Sequence, residues 1–373
     1  MLEVTHDDVA WVETLGEIFC LTFIKGVGEI EALSRLGALP DTLHPRTLQE
    51  AWDAHHSYEA GYPDFAFALN LGVWTVLLEP NGFQGSLVEP LTALSRGTEA
   101  VSVQRHDYAS HGFGHAVDGT LVTGFEPTWP HQRWGAEPDR LLGKMRPAGL
   151  DPDAEDDDYV SGAYVAAFLL AGLITGAVPH PNALAGKILS AQIEPWFCAA
   201  APSPAYGPTD PAMVAALKAA PPHLLRAVAA RETMRLATLL DLAGTPGLAE
   251  AVAAAERGEP VTVSPDSELG THVRSWLDRA RQAGGALNDP RARSKLSNDE
   301  RNAAAMRGWF AAALKAALWP EPHAAARAVL HPLTEGPPLF RDTTQETAIL
   351  HTLRGTPGLA RSRQAFRTEG NGA

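Results

Sequence analysis

The feature that most constrains the fold is a pair of segments between residues 64 and 80 in which large apolar residues occupy every second position. These residues are Phe65, Phe67, Leu69, Trp74, Val76 and Leu78. Successive side chains of a strand point to opposite faces, so this period places the large residues of each segment on one face. The two segments therefore predict paired strands that turn one face toward a core.

Turn and helix signals on both sides of this pair extend the pattern. Asp118-Gly119 favours a type I′ hairpin, because both central positions of that turn require a positive φ. Thr47-x-x-Glu50 has the spacing of a capping box, in which a hydroxyl and a carboxylate satisfy free N–H groups at the start of a helix. We predict that residues 1–150 form an α+β domain, a mostly antiparallel sheet with helices.

An acidic run at residues 151–158 marks the expected domain boundary. It holds six carboxylates and no basic residue, which is typical of a solvated linker. Residues 159–373 are rich in alanine and leucine, and predict an all-α helical domain. Within it, the stretches at about 212–258 and 309–366 share AALKAA, Pro-His and GTPGLA motifs in the same order. We interpret them as a degenerate internal repeat in a compact bundle, since two units are fewer than a solenoid needs.

Several signals concern the compartment of the protein. Residues 160–178 carry no charge, and this length is near the roughly 17-residue minimum of a membrane span. Their N-terminal flank is acidic and no Lys or Arg is close by, so a buried helix is expected. Cys20 and Cys198 have no CxxC or Cys/His neighbour, which fits a reducing compartment. Because the first residues lack a basic and apolar leader, we expect a cytoplasmic protein.

The net charge of the chain is concentrated in its first part. Residues 1–150 carry 9 basic and 20 acidic side chains, a net charge of −11, against −14 for the whole chain. Nucleic acids and anionic membranes bind mainly through contacts of Lys and Arg with phosphate, so this acidic part disfavours both as partners. A protein partner of the acidic domain is expected to be basic.

The common catalytic motifs are absent from the sequence. The run GFQGSL at Ser86 is not GxSxG, and Ser86-x-x-Glu89 already has the spacing of a second capping box. Gly26-Val-Gly28 lacks the third glycine of a dinucleotide-binding motif, and no GxxxxGK[ST] occurs. We predict no catalytic residues and no cofactor.

Two motifs could be taken for metal sites. His106, His111 and His115 are close in sequence, and imidazole is a common metal ligand. No HExxH or carboxylate triad accompanies them, so exposed loop histidines are the simpler interpretation. The alternating acids that begin at residue 151 fail as a calcium loop, because Asp156 and Gly162 stand where a glycine and a bidentate glutamate belong. We predict no metal site.

Two segments that each leave a strand through Glu-Pro collect aromatic, amide and guanidinium side chains at the expected rim of the sheet. Clusters of aromatic residues and arginine are typical of recognition surfaces. The alternative is that the tryptophans pack inside the domain and the glutamates cap turns. The candidate binding residues are Glu79, Asn81, Phe83, Gln84, Glu126, Trp129, Arg133 and Trp134.

The same segments carry a family resemblance. The run EPNGFQGS, the Asp-Gly hairpin and the later FEP and RWG motifs resemble a domain family of unknown function common in GC-rich bacteria. The resemblance covers about residues 10–150. It implies a shared fold, and no established catalytic residue can be carried over from it.

The sequence leaves three functions open. The first is a cytoplasmic, non-enzymatic protein-binding or regulatory module of the immunity type, with a basic partner. The second is a hydrolase-type enzyme that uses Glu79 and Glu126 with nearby histidines, which requires these groups to converge on one pocket. The third is a structural oligomer that assembles through the helical half.

Overall fold

The computed structural model describes residues 4–153 and 162–355, which fall into two compact units. The first unit comprises the chain up to Ala201 together with Asp278–Arg301, and the second comprises Pro202–Leu277 and the chain from Asn302 onward. The first unit thus continues past the boundary that the acidic run predicts. Most of that run, residues 154–158, lies outside the described residues.

The first unit is built on a nine-stranded sheet in which all strand pairs are antiparallel. The strands are β1 Ile18–Lys25, β2 His44–Arg46, β3 Asp64–Leu71, β4 Trp74–Pro80, β5 Glu99–His106, β6 Gly112–Val117, β7 Thr120–Phe125, β8 Arg133–Trp134 and β9 Ile188–Ile193. Their order in the sheet is β2-β9-β3-β4-β1-β5-β6-β7-β8. This arrangement confirms the α+β prediction for the N-terminal part.

Both predicted strand pairs form hairpins in this sheet. Leu69 of β3 lies opposite Val76 of β4, so the alternating apolar residues share one face as expected. Asp118 and Gly119, between β6 and β7, have φ angles of 47° and 76°. Positive values at both positions are what a type I′ turn requires.

Strand β9 was not predicted and lies within residues 159–373, the part expected to be helical. It pairs with β2 through Ser190 and His44, and with β3 through Ala191 and Ala66. The segment ILSAQI is short, and its serine and alanine break the alternation of large and polar residues. Its strand conformation follows from pairing with two strands that are far away in sequence.

Helices cover both faces of the sheet. The helices of this part are α1 His6–Val9, α2 Glu29–Leu36, α3 Leu48–His55, α4 Val88–Leu94, α5 Leu142–Met145 and α6 Ala163–Thr175. One face of the sheet packs against α6, where Phe168 lies 6.0 Å from both Phe23 and Trp11, measured between ring centroids. The other face packs against α2 and α4 through residues such as Leu33 and Leu91.

One of the two predicted capping boxes is present. At the start of α3 the Glu50 N–H donates to Thr47 Oγ1 at 3.1 Å, and the Thr47 N–H donates to Glu50 Oε2 at 2.8 Å. The second prediction is wrong, because Leu87 precedes α4 as its N-cap. The Ser86 hydroxyl instead lies 2.6 Å from Gln104 Oε1, so it binds its turn to strand β5.

Helix α6, Ala163–Thr175, lies within residues 160–178, the stretch that the sequence predicts to be a buried helix. It has 13 residues, and most of them are buried. In the described part of the chain, no helix combines the length and apolar character that a membrane span needs. Residues 160 and 161 lie outside the described residues.

The remaining helices run through the rest of the described chain and confirm the prediction of a mostly helical C-terminal region. The Pro-His pairs of the proposed repeat open two of these helices, at Pro222 and Pro322. Residues 356–366 of the second copy lie outside the described residues. The helices are α7 Pro211–Ala219, α8 Pro222–Leu239, α9 Leu248–Glu256, α10 Glu268–Asn288, α11 Asn298–Ala317, α12 Pro322–Val329, α13 His331–Glu335 and α14 Thr343–Leu353.

Candidate functional site

Glu79, the first of the candidate binding residues, is buried inside the first unit with 1% relative exposure. Its Oε2 accepts a hydrogen bond from the Gln84 N–H at 2.8 Å, and its Oε1 accepts one from the Gly85 N–H at 2.7 Å. Burial raises the pKa of this carboxyl to about 7. Glu79 therefore holds the loop that follows β4, and each of its two carboxylate oxygens accepts one of these hydrogen bonds.

The loop approaches the sheet closely because residue 85 is a glycine. A Cβ atom there would lie 2.3 Å from Thr22 Oγ1 and 2.9 Å from Glu79 Oε1, so no other residue fits without movement. Beside this contact the Cys20 thiol lies 3.2 Å from Ser102 Oγ, and burial raises the pKa of that thiol. The polar side chains under the loop, Cys20, Thr22 and Ser102, form hydrogen bonds with one another.

Asn81 joins the same loop to helix α3. Its Nδ2 lies 2.6 Å from His55 Nε2, and its backbone has a φ of 62°. On the other side of the imidazole ring, His55 Nδ1 lies 3.2 Å from Asp64 Oδ1. The hydrogen bond with Asp64 raises the pKa of His55. Both ring nitrogens of His55 are thus engaged, which leaves neither to act as a free base.

A cleft of about 530 Å³ opens at one end of strands β5 and β7. We call it the acidic cleft, because its charged side chains are three carboxylates and one arginine. The end of β5 and the loop after it supply one wall, and the turn after β7 and the start of α6 supply the others. The cleft is lined by Glu13, Arg105, His106, Asp107, Ala109, His111, Glu126, Thr128, Trp129, Gly162, Ala163 and Tyr164.

Arg105 is neutralised within the acidic cleft. Its Nε donates to Asp107 Oδ1 at 2.8 Å and its Nη2 donates to Asp107 Oδ2 at 2.7 Å, a two-point pair. The guanidinium also lies over the ring of Tyr164, 4.6 Å from its centroid. Hydrogen bonding to Arg105 lowers the pKa of Asp107, so that carboxylate is ionised at neutral pH.

Glu126 and Trp129 share the turn after β7. The backbone N–H of Trp129 donates to the backbone carbonyl of Glu126 at 2.9 Å, and Thr128 Oγ1 donates to Glu126 Oε1 at 2.8 Å. Trp129 keeps 39% of its surface exposed. Among residues 4–153 and 162–355, neither Glu126 nor Glu13 forms an ion pair. The cleft therefore carries an uncompensated negative charge next to an exposed indole ring.

The three histidines of the possible metal motif do not converge. His106 and His111 line the acidic cleft, where burial lowers the pKa of His111. His115 is buried elsewhere in the sheet and pairs with Glu99, with 3.0 Å between Nε2 and Oε1. In the portion of the chain that the structure describes, no group of three or more His, Cys, Asp or Glu side chains could hold a metal ion.

Aromatic side chains form a rim beside the acidic cleft. The ring of Phe83 contacts that of His106 at 5.5 Å between centroids, and His106 contacts Tyr108 at 6.4 Å. Tyr108 is 75% exposed, and its hydroxyl donates to Glu17. Sequence analysis missed Tyr108, because a single tyrosine in a polar loop carries no pattern of its own. We call Phe83, His106, Tyr108 and Trp129 the aromatic rim.

The last two candidate residues lie outside the acidic cleft. Arg133 bonds to Asp139 with distances of 3.0 and 2.8 Å, and to the Pro130 carbonyl at 2.7 Å, so it fixes the chain around β8. Trp134 lies against Gly124, where a Cβ atom would meet its Nε1 at 2.6 Å. It remains 49% exposed. The structure thus places Glu126 and Trp129 in the lining of the acidic cleft and Phe83 against the cleft residue His106, and none of the other candidates lines the cleft.

A second cleft of about 650 Å³ involves a segment that is distant in sequence, which explains why sequence analysis did not detect it. Arg281 at its wall donates to the Gly61 carbonyl at 3.2 Å and to Glu194 Oε2 at 3.0 Å. The Tyr62 hydroxyl donates to Asp289 Oδ2 at 3.0 Å. These polar groups bind one another, so they serve to attach the segment Asp278–Arg301 to the rest of the first unit.

Comparison with known families supports the expected relationship. Residues 2–186 match the model of a family of unknown function, DUF6461. This match confirms the resemblance to a family of unknown function and extends it beyond residues 10–150 at both ends. It stops before strand β9. No curated protein and no solved structure matches the chain.

Proposed function

We propose that the first unit is a protein-binding module that recognises a partner through the acidic cleft and the aromatic rim. The observation that carries this proposal is the position of Trp129. Trp129 is 39% exposed and lines the same cleft as Glu126, whose carboxylate forms no ion pair with any described residue. Phe83 and Tyr108, both exposed, extend the surface on which a partner could pack.

The physical basis is the usual composition of binding hot spots. Tryptophan and tyrosine contribute large, rigid contact areas, and truncating such a residue at the centre of an interface typically costs about 2 kcal/mol or more of binding free energy. Uncompensated carboxylates at the same place favour a basic partner and raise the association rate. Glu13 and Glu126 supply this charge within the cleft.

The geometry gives less support to the hydrolase alternative. Glu79 is buried, binds two backbone N–H groups and does not line the cleft that Glu126 lines. A general acid–base pair needs both groups within reach of one substrate. The oligomer alternative concerns the helical half, and light scattering of the full chain at micromolar concentration distinguishes a dimer from a monomer.

We extend the proposal to a regulatory, immunity-type role in the bacterial cytoplasm. Neither Cys20 nor Cys198 forms a disulfide, as is usual where thiols are kept reduced. The acidic charge of residues 1–150 suits the inhibition of a basic protein. Fractionation of the native host with an antibody against the protein tests the compartment.

Affinity purification of the tagged full chain from its native host tests the binding function. We expect a stoichiometric protein partner that is lost with Trp129→Ala and retained with Trp134→Ala. Trp134 is the matched control, because it is exposed to a similar degree in the same unit and lies outside the cleft. Equal capture by both variants, or no partner at any salt concentration, would contradict the proposal.

A further inference from the structure

We infer that the acidic cleft binds an arginine side chain of the partner, held between the ring of Trp129 and the carboxylate of Glu126. This inference rests on the proposed function and names the group that the cleft recognises. It follows from the lining of the cleft, which contains two pairs of an aromatic residue and a carboxylate, one of which already binds an arginine.

The occupied copy consists of Arg105, Tyr164 and Asp107. The guanidinium of Arg105 lies over the aromatic ring and forms a two-point pair with the carboxylate. Planar guanidinium groups favour this combination, because they stack on π faces and match the two oxygens of a carboxylate. The lining of the cleft therefore already binds one arginine through an aromatic ring and a carboxylate.

Trp129 and Glu126 supply the same two residue types, an aromatic ring and a carboxylate, and no cation among the described residues pairs with either. They are held together by the short turn after β7, and the Thr128 hydroxyl bonds to Oε1 of Glu126. The second carboxylate oxygen of Glu126 receives no hydrogen bond from any residue that the structure describes. Tryptophan is the strongest cation–π acceptor among the aromatic residues, so this pair is suited to a guanidinium.

The surroundings favour a cation and disfavour an anion. Glu13, which forms no ion pair with any described residue, adds a second carboxylate to the lining of the cleft. The one arginine of the lining is neutralised by Asp107. Burial lowers the pKa of His111, which disfavours a positive charge on this side chain. Arginine is preferred to lysine, because the lysine ammonium cannot stack and carries a tighter hydration shell.

Titration of the full chain with Nα-acetyl-L-arginine amide tests this inference. The matched probe is Nα-acetyl-L-citrulline amide, which has nearly the same shape and no charge. The readout is the indole N–H signal of Trp129 in a nitrogen-correlated NMR spectrum, assigned with Trp129→Phe. We expect saturable shifts with a dissociation constant on the order of 1 mM for the arginine probe. Citrulline should bind at least about tenfold more weakly, as expected for the loss of a charge-assisted contact.

The variant Glu126→Gln should weaken binding of the arginine probe about tenfold, because it removes the charge and keeps the shape. Glu137→Gln is the matched control. Glu137 is exposed, does not line the cleft and pairs with Arg140, and its replacement changes the net charge by the same amount. Its expected effect on probe binding is less than twofold.

Three results would overturn the inference: equal binding of arginine and citrulline, no binding of either probe, or equal weakening by the two glutamate variants. These results are distinguishable from a failure of the proposed function. If the partner is still lost with Trp129→Ala while arginine and citrulline bind alike, the cleft binds a partner through another group. If Trp129→Ala retains the partner, the proposed function itself fails.

Discussion

At the scale of single residues, the carboxylate of Glu79 determines where one edge of the aromatic rim lies. It binds the N–H groups of Gln84 and Gly85, the two residues that directly follow Phe83. Phe83 in turn contacts His106 at the cleft. A fully buried carboxylate thus positions an exposed aromatic ring through a short piece of backbone.

The pKa of Glu79 predicts a pH dependence of stability. Folding raises this pKa from 4.5 to about 7, so the stability that Glu79 contributes is fully present below pH 4.5 and is lost as the pH rises through 7. The expected loss in the free energy of unfolding between these limits is on the order of 3 kcal/mol. Groups whose pKa is lowered on folding, such as Asp107, contribute stability that is lost as the pH falls through the acidic range.

The variant Glu79→Gln, which cannot ionise, should lack this part of the pH dependence. Chemical denaturation of the wild type and of the variant at several values between pH 4.5 and 8 measures it. Parallel stability curves for the two proteins across this range would show that Glu79 does not ionise as expected.

At the scale of elements, local patterns predicted structure wherever the pairing partners are close in sequence. The β3–β4 hairpin, the turn at Asp118 and the cap at Thr47 are all set by contacts within a few residues. Strand β9 and the role of Ser86 depend on partners far along the chain, so no local pattern indicates them. The candidate site divides in the same way. Glu126 and Trp129 share a turn, whereas their approach to Glu13 and Tyr164 is a result of tertiary packing.

The position of β9 between β2 and β3 predicts a strong effect of proline in this strand. Ala191 is fully buried and lies opposite Ala66 of β3. Replacing it by proline removes a backbone N–H from an interior strand, so Ala191→Pro should lower the free energy of unfolding by about 1–3 kcal/mol. Ala191→Gly keeps the N–H and should cost only about 0.5–1 kcal/mol. Thermal denaturation compares the two. Equal losses would mean that the ladder through β9 contributes little.

At the scale of the whole molecule, the charge of residues 1–150 predicts how a partner associates. A net charge of −11 attracts a basic protein over distances beyond direct contact, and dissolved salt screens this attraction within about 10 Å at 0.1 M. The association rate with the partner should therefore fall at least about tenfold between 20 mM and 500 mM salt, while the dissociation rate changes little.

Surface plasmon resonance with the captured partner measures both rates. The variant Glu137→Gln, outside the cleft, should shift the association rate slightly and leave the dissociation rate unchanged. If salt instead acted mainly on the dissociation rate, the dominant charges would be those buried at the interface.

Because β9 and Asp278–Arg301 belong to the first unit, that unit is completed late in the synthesis of the chain. A chain leaves the ribosome from its N-terminus, and the outer edge of β3 has no partner until Ile188–Ile193 has been made. An unpaired strand edge can join other chains, so the nascent protein passes through an interval in which it needs protection. The segment Pro202–Leu277 of the second unit is complete before the last piece of the first has been synthesised. A pause in translation between β3 and Ile188–Ile193 would therefore lengthen the exposure of the unfinished sheet.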